Sequence, residues 1–342
     1  MHRSTLASPA LSSARRWRLA APACAAALAC AALAAPAQAA DNYPSRPITL
    51  IVPFTPGGST DIIARVISKQ LGAALGQSII VEYKPGAGGV IGTQYAKNQP
   101  ADGYTIIMGA IGTFGANATL YKNLPYDPVK DFTPISLVAA VPNVLAVNPA
   151  KLDVHTVDEL IKAAKAKPNG YDYASGGNGS AANLAMEYFK VSAGIQLQHV
   201  PYKGTAPALT DLIAGVTSVV LTGFPPLYPH IKAGRLRAIA VASEHRLPDL
   251  PDVPTISETK GLENFTADQW YGLLTIAGTP QPIVDRLNKE VVAALKDPET
   301  LAMFRKEGLV PMPNTPAQFG QFIKDQIALW RPVVQKAGII IE

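Results

Sequence analysis

Residues 48–61 read Ile48-Thr49-Leu50-Ile51-Val52-Pro53-Phe54-Thr55-Pro56-Gly57-Gly58-Ser59-Thr60-Asp61. The apolar run at the start is typical of a buried strand, and the apolar spacing after residue 60 is typical of a helix with one buried face. The glycines between them let the backbone approach a ligand closely, and the unpaired N–H groups of a helix start favour an anion. The stretch therefore predicts a strand, a turn and a helix, with an anion site at the turn. A plain turn capped by Ser59 is the alternative.

A second stretch of the same kind follows a strand-like run at residues 171–174. It reads Ser175-Gly176-Gly177-Asn178-Gly179-Ser180, and Asn183 lies one turn into the next helix-like segment. Its donors are hydroxyl, amide and backbone N–H groups, with no basic residue among them. Such neutral donors hold a carboxylate without burying a fixed counter-charge. We expect the two turns to bind one small carboxylate between them; a glycine-rich turn without a ligand is the alternative.

Strand-like and helix-like segments alternate along the chain, which predicts an α/β fold with doubly wound, mostly parallel sheets. The predicted strands are 48–54, 78–82, 105–109, 144–148, 171–174, 198–201, 218–221, 238–242 and 269–277. The predicted helices are 60–75, 157–166, 181–192, 282–295 and 316–337. The chain is longer than one hydrophobic core usually serves, so we expect two domains. Because the last two helices lack a sheet partner of their own, the first domain is predicted to be discontinuous, with residues 40–142 plus 267–342, and the second to span residues 143–266.

Residues 1–39 have the composition of a cleavable signal peptide. Four arginines precede an apolar stretch at residues 19–35, and Ala37-Gln38-Ala39 supplies the small residues of a cleavage site. The prediction is export to a bacterial periplasm, with a retained membrane anchor as the alternative.

Removal of this segment changes the charge and the cysteine content. It holds four of the 30 basic residues and none of the 25 acidic ones, which leaves 26 basic residues against 25 acidic ones. A nucleic-acid partner is therefore not expected from net charge. Cys24 and Cys30 also lie in the segment. Their loss excludes a disulfide, a thiolate metal site and a cysteine nucleophile from the exported chain.

Enzyme and cofactor motifs are missing from the sequence. It has no Gly-x-Ser-x-Gly elbow, no His-Glu-x-x-His and no phosphate-binding loop. The segment Gly86-Ala87-Gly88-Gly89-Val90-Ile91-Gly92 resembles a dinucleotide fingerprint, but Ile91 stands where a glycine is needed. The histidines show no metal-ligand spacing: His155, His199, His230 and His245. We expect no catalysis, no cofactor and no metal, and an exported hydrolase is the disfavoured alternative.

Motifs along nearly the whole exported chain resemble those of the solute-binding receptors of tripartite tricarboxylate transporters, a family of bacterial periplasmic proteins. The matching segments are residues 43–48, 52–61, 84–89, 102–105, 124–128, 200–204 and 250–255. The resemblance implies a two-domain periplasmic binding protein, a type II-like Venus flytrap that closes on a carboxylated ligand. It also implies membrane permease subunits as partners. Since a receptor that must open and close is usually a monomer, we expect a monomer.

The resemblance further implies that the two glycine-rich turns bind one carboxylate, and that the loop after the third strand completes the pocket. By itself, the segment Val200-Pro201-Tyr202-Lys203-Gly204 fits a pocket wall and a surface turn equally well. The predicted ligand-binding residues are Phe54, Thr55, Gly58, Ser59, Asp61, Ala110, Ile111, Ser175, Asn178, Gly179, Ser180, Asn183, Tyr202, Thr222 and Gly223.

Two departures from the family pattern concern specificity. Many members have histidine at the position of Asn183, and an Asp-Asn pair where this chain has Thr222-Gly223. The smaller and less polar pair leads to the hypothesis of a wider distal pocket. Such a pocket suits a bulky or aromatic carboxylate, such as a phthalate-type diacid.

The predicted function is capture of a small organic carboxylate in the periplasm and its delivery to a tripartite tricarboxylate-type permease. The alternative is a sensing receptor that presents its closed form to a two-component sensor kinase. The same chain serves either role, and permease genes beside this one would favour transport.

Overall fold

A computed structural model describes residue 2 and residues 43–341. The predicted signal peptide, apart from residue 2, therefore lies outside the described residues. Residues 43–45 group with the N-terminal segment, and the fold described here begins at Arg46.

Eleven strands and ten α-helices are present in this part of the chain. The strands are β1 (Ile48–Val52), β2 (Ile79–Tyr83), β3 (Thr105–Ala110), β4 (Phe132–Val141), β5 (Asn143–Val147), β6 (Asp172–Ser175), β7 (Gln198–Pro201), β8 (Val219–Gly223), β9 (Arg237–Val241), β10 (Gln269–Ile276) and β11 (Val310–Pro311). The helices are α1 (Ser59–Leu75), α2 (Val90–Lys97), α3 (Asn117–Leu120), α4 (Val157–Ala166), α5 (Ala181–Ala193), α6 (Thr205–Ile213), α7 (Phe224–Lys232), α8 (Gln281–Ala294), α9 (Pro298–Lys306) and α10 (Pro316–Ala337). Short irregular helices add Ala87–Gly89, Gly112–Ala116 and Ile256–Glu258.

The strands form two sheets, one in each of two lobes. Lobe 1 has a six-stranded sheet in the order β11-β4-β10-β3-β1-β2, and lobe 2 has a five-stranded sheet in the order β7-β6-β8-β5-β9. The chain enters lobe 2 from β4 through Pro142 into β5, and it returns through residues 267–268 into β10. We propose these two crossings as the domain boundaries; the predicted ranges, residues 40–142 plus 267–342 and residues 143–266, stay a prediction.

The α/β, two-domain fold class is confirmed, but the sheets are mixed rather than mostly parallel. Strand β1 pairs in parallel with β2 and β3, as β6 does with β7 and β8. Strand β10 is antiparallel to β3 and β4, and β5 is antiparallel to β8 and β9. The difference arises because β5 and β10 each begin at a crossing and run away from the cleft, whereas β1, β3, β6 and β8 run toward it.

Several elements that the sequence patterns missed contain proline. Strand β4 contains Pro134, which lies where its pairing with β10 shifts register. Proline cannot donate to a sheet ladder, so it is tolerated at such irregular positions. Helices α7 and α9 begin with proline in the first turn, where the missing N–H costs nothing. Helix α6 was not predicted either, whereas α4, β7 and α10 have the predicted bounds.

Each lobe has its own apolar core between its sheet and its helices. Helix α1 buries Ile63, Val66, Ile67 and Leu71 on one face and ends at Gly76 with φ +68°. This positive φ favours glycine, which therefore stops the helix. The buried face fixes α1 against the sheet of lobe 1 and thereby fixes the position of its N-terminus at the cleft.

Candidate site in the cleft between the lobes

Three helix N-termini meet in the cleft between the lobes. Helix α1 of lobe 1 begins at Ser59, and helices α5 and α6 of lobe 2 begin at Ala181 and Thr205. Thr60, Ala181 and Thr205 line one cavity there. The first N–H groups of a helix have no partner within the helix, and the helix dipole favours negative charge at this end. The cleft therefore offers an anion neutral donors from both lobes.

The cavity lining contains no Asp, Glu, Lys, Arg or His among the described residues. The cavity is narrow: its empty volume is about 310 Å³, including the part open to solvent. The lining residues are Phe54, Thr60, Ala110, Gly176, Ser180, Ala181, Ala182, Thr205, Thr222, Gln269 and Tyr271.

Glycines allow the backbones of the two lobes to touch around the cavity. A Cβ atom on Gly112 would lie 2.0 Å from the carbonyl oxygen of Gly179, and one on Gly88 would lie 1.8 Å from that of Asn178. Real Cβ atoms do not approach a carbonyl oxygen so closely, so these contacts require glycine. The lobes are therefore in a closed arrangement in this structure.

Asp61 shapes the first turn from within lobe 1. One carboxylate oxygen accepts a hydrogen bond from the backbone N–H of Gly57 at 2.8 Å. The other accepts from Arg65 Nε at 2.8 Å and from the Tyr83 hydroxyl at 2.6 Å. Because the carboxylate is buried and both of its oxygens are engaged, we propose that Asp61 holds the turn; its place among the ligand-binding residues stays a prediction.

The second turn is held in the same way by its own side chains. Ser175 Oγ accepts from the N–H of Gly177 at 3.1 Å, and Asn183 Oδ1 accepts from the N–H of Gly179 at 2.9 Å. Ser180 caps helix α5 by accepting from the N–H of Asn183 at 3.3 Å. The Ser180 N–H donates to the Gly177 carbonyl oxygen at 3.0 Å, so three N–H groups of the turn are already engaged. Ser180 alone among these three side chains lines the cavity.

A buried polar network lies behind this turn. Asn183 Nδ2 donates to the Tyr173 hydroxyl at 2.8 Å, and that hydroxyl donates to Glu187 Oε1 at 2.5 Å. Lys190 Nζ donates to both Glu187 oxygens, at 2.7 and 2.9 Å. Burial raises the pKa of Tyr173, and the charge of Glu187 raises it further. The tyrosine therefore stays protonated and links the ion pair to the turn.

His199 supports the turn from its other side. Its ring stacks on Tyr173 at 4.7 Å between centroids, and its Nε2 lies 2.6 Å from Ser175 Oγ. Burial lowers the pKa of His199 to about 4; the charge of Glu187 opposes this shift in part, and the charge of Lys190 adds to it. In the sequence His199 shows no metal-ligand spacing, and the structure places it in contact with the predicted site residue Ser175.

The titration of His199 predicts a loss of stability in acid. The unfolded chain binds this proton near pH 6.5, whereas the folded chain binds it only near pH 4. The unfolded state therefore holds more protons between these values, and stability falls as the pH falls through this window. We expect a loss of about 1–2 kcal/mol, since the ring is only partly buried. Denaturant unfolding at pH 7.5 and pH 4.5 measures it, and His199→Gln should remove this part of the pH dependence. An identical pH dependence in both proteins would contradict the assignment.

The predicted site residues fall into four groups. Those that line the cavity are Phe54, Ala110, Ser180 and Thr222. Those that line a second hollow at the edge of the cleft are Thr55, Asn178 and Tyr202. Those at close contacts around the cleft are Gly58, Ser59, Gly179 and Gly223. Those turned to other partners are Asp61, Ser175, Asn183 and Ile111, the last of which packs in the core of lobe 1.

Sequence reasoning missed Thr205, Gln269 and Tyr271 in the cavity wall. Gly204 and Pro207 flank Thr205 and together signal a helix start. Gln269 and Tyr271 are spaced by two in a strand, and this alternation places them on one face. The strand itself was predicted, but nothing in its pattern indicates that this face meets the cleft.

Two α/β lobes joined by two crossing segments, with an uncharged cavity between them, form the two-domain fold of periplasmic binding proteins. The model of the tripartite tricarboxylate transporter family receptor matches residues 63–339, and the chain belongs to this family. The family predicted from the sequence motifs is therefore confirmed. Members of this family are binding receptors rather than enzymes.

Named relatives agree with this assignment. The chain is 39% identical to Protein BugT of Bordetella pertussis over 312 residues, which cover 91% of this chain and 95% of the relative. It is similar to R. palustris Rpa4515, solved with adipate, at 36% identity and a TM-score of 0.84, covering 87% and 99% of the two chains. MatC of Rhodopseudomonas palustris, solved with bound malate, is 31% identical with a TM-score of 0.81, covering 85% and 100%.

In the described part of the chain, no helix combines the length and the apolar character that a membrane crossing requires.

Proposed function

We propose that this receptor captures a small organic carboxylate in the periplasm and delivers it to the membrane permease of a tripartite tricarboxylate transporter. The carboxylate binds at the N-termini of α1, α5 and α6. Hinge motion at the two crossing segments closes the lobes on it, and the closed monomer is the form that the permease recognises. The convergence of three helix starts from both lobes on an uncharged cavity carries this proposal.

Neutral donors are well suited to a receptor that must release its ligand. A buried lysine or arginine would need a counter-charge whenever the site is empty, and burying an unpaired charge is costly. Hydroxyl and N–H groups are solvated at little cost in the open form and still stabilise an anion in the closed form. The ligand's charge is thus compensated by helix dipoles and hydrogen bonds from both lobes.

We propose a compact aliphatic acid with more than one polar group as the ligand class. The relatives solved with adipate and malate support dicarboxylates of this size. The phthalate-type diacid has less support from the cavity. A Cβ on Gly223 would meet Ser59 Oγ at 2.3 Å and Val141 at 3.0 Å, so the space that glycine leaves is already filled. An aromatic ring would therefore require a wider cleft.

A panel of acids tests the proposal by thermal shift and calorimetry. The panel comprises succinate, malate, adipate, citrate, phthalate and a monocarboxylate. Ligand at 100 times its Kd should stabilise the protein by about 2.7 kcal/mol. We expect stabilisation by a compact di- or tricarboxylate and none by phthalate. Stabilisation by phthalate alone would support the wider pocket, and no binding by any acid would overturn the proposed function.

Thr222→Val tests the cavity wall with little change of shape. Thr222 is buried and lines the cavity, so loss of its hydroxyl should weaken binding about tenfold. The matched control is Thr217→Val, a buried threonine outside the cavity whose hydroxyl has no hydrogen-bond partner. Equal affinities for the two variants would contradict a ligand at this wall.

A further inference from the structure

A chain of buried hydrogen bonds connects the cavity wall to both crossings between the lobes. Asn143 Nδ2 donates to the backbone carbonyl oxygen of Ala267 at 2.5 Å, and Gln269 Nε2 donates to Asn143 Oδ1 at 2.5 Å. The Tyr271 hydroxyl donates to Gln269 Oε1. Asn143, Gln269 and Tyr271 are each less than 5% exposed. Gln269 and Tyr271 form part of the cavity wall.

The direction of these hydrogen bonds is fixed by the Ala267 carbonyl oxygen, which cannot act as a donor. The Ala267 carbonyl oxygen can only accept, so Asn143 must turn its NH₂ toward it and its oxygen toward Gln269. Gln269 must then present its own NH₂ to Asn143, and its oxygen to Tyr271. Reversing either amide would bring two oxygens or two NH₂ groups together. The orientation of both amides therefore follows from the network itself.

Tyr271 is consequently left as an acceptor. A phenol has one proton, and Gln269 holds it, so toward the cavity the tyrosine oxygen offers only lone pairs. Burial raises the pKa of Tyr271 to about 12, and the neighbouring Thr60 and Ser59 hydroxyls lower it in part. The phenol is therefore protonated at neutral pH, and the hydrogen bonds keep the same direction throughout the physiological pH range.

We propose that Tyr271, oriented by Gln269, Asn143 and the Ala267 carbonyl, is a hydrogen-bond acceptor that selects hydroxy acids over the same acids without the hydroxyl group. This selection rests on the carboxylate site proposed above: the ligand's carboxylate occupies the helix starts, and its hydroxyl donates to Tyr271. A carboxylate oxygen at the Tyr271 position would meet a lone pair instead of a proton. Tyr271 therefore favours a ligand group that donates a hydrogen bond over a group that can only accept one.

Matched acid pairs test this selection by calorimetry on the full exported chain. The pairs are malate with succinate, citrate with propane-1,2,3-tricarboxylate, and lactate with propionate. In at least one pair the hydroxylated acid should bind about tenfold tighter or better, because only its hydroxyl donates a hydrogen bond to Tyr271. Tyr271→Phe should reduce that ratio to near one, mainly by weakening the hydroxy acid.

Gln269→Leu distinguishes an effect on the direction of the Tyr271 hydrogen bond from simple support of the cavity wall. Without the glutamine oxygen the Tyr271 proton is free to point into the cavity, so an acid with a carboxylate in place of the hydroxyl, such as ethane-1,1,2-tricarboxylate beside malate, should gain affinity relative to the hydroxy acid. A merely structural role would lower both affinities alike. Tyr126→Phe is the control, since this buried tyrosine donates to the Thr113 carbonyl at 2.8 Å outside the cavity. Its pair ratios should match those of the unchanged protein.

The outcomes separate this inference from the proposed function. If succinate or adipate binds but no pair favours its hydroxy member, the inference is wrong while the receptor function stands. The inference is also wrong if Tyr271→Phe keeps the full ratio. If no carboxylate binds at all, both the inference and the proposed function are overturned.

Discussion

Gly112→Ala should lower ligand affinity by at least about 100-fold, or about 2.7 kcal/mol, while the ligand-free protein keeps its fold. The added methyl group would lie 2.0 Å from the Gly179 carbonyl oxygen across the cleft. The backbone fixes the position of the added methyl group, and the Gly179 oxygen is itself a backbone atom, so no side-chain rotation relieves the clash. Gly112 itself has an ordinary backbone conformation that alanine adopts without strain. The cost therefore falls on the closed form alone, and calorimetry with the ligand found in the acid panel measures it.

Gly115→Ala is the matched control in the same short helical segment. A Cβ at Gly115 would meet its nearest neighbours at 3.6 and 3.7 Å, which is ordinary van der Waals contact. This variant should bind as the unchanged protein does. Small-angle scattering should also show that Gly112→Ala stays open at ligand concentrations that close the control. Full closure and full affinity in Gly112→Ala would refute the contact between Gly112 and Gly179 as a feature of the bound form.

Glu187→Ala should destabilise the protein by about 3–4 kcal/mol. The carboxylate is 6% exposed and accepts from the Tyr173 hydroxyl and from Lys190. Its removal leaves a buried hydroxyl and a largely buried ammonium without an acceptor, and each such group costs free energy. Because Tyr173 also orients Asn183, ligand affinity should fall together with stability. Urea unfolding and calorimetry at pH 7.5 measure the two effects.

Glu299→Ala controls for the loss of an ion pair as such. Glu299 pairs with Lys69 at 2.8 Å, and both side chains are more than 60% exposed. An exposed pair of this kind contributes little to stability because water screens it, so the variant should be nearly as stable as the unchanged protein, with the same ligand affinity. Similar losses of stability in the two variants would contradict a larger contribution from the buried carboxylate of Glu187.

Elements with a clear apolar period were predicted well, and elements that depend on tertiary contacts were not. Helices α4 and α10 have the predicted bounds because their apolar residues recur at helical spacing and polar caps mark their first turns. Strand β4 was missed because Pro134 interrupts its pattern, and only its pairing with β10 makes that position tolerable. The antiparallel direction of β5 and β10 likewise depends on where the chain crosses between the lobes.

The residues of the candidate site also divide into those that the sequence predicts and those that only tertiary contacts reveal. Phe54, Ala110, Ser180 and Thr222 were predicted and line the cavity. Asp61, Ser175 and Asn183 stay predicted members of the ligand-binding set, and their hydrogen bonds hold the two turns in place. A polar residue in a glycine-rich turn serves either purpose, and the choice depends on which neighbours the fold brings within hydrogen-bond distance. Tyr271 and Gln269 were missed for the same reason.

Local sequence alone determined the family, the alternation of strands and helices, and the two turns with neutral donors, because these depend on residue type and on spacing along the chain. The tertiary structure alone decided which side chains face the cleft, that a third helix start joins the site, and that Tyr271 presents an acceptor. These features depend on distances between residues far apart in sequence, such as Asn143 and Gln269 at opposite crossings. A hydrogen bond has a direction, and only its full set of neighbours fixes it.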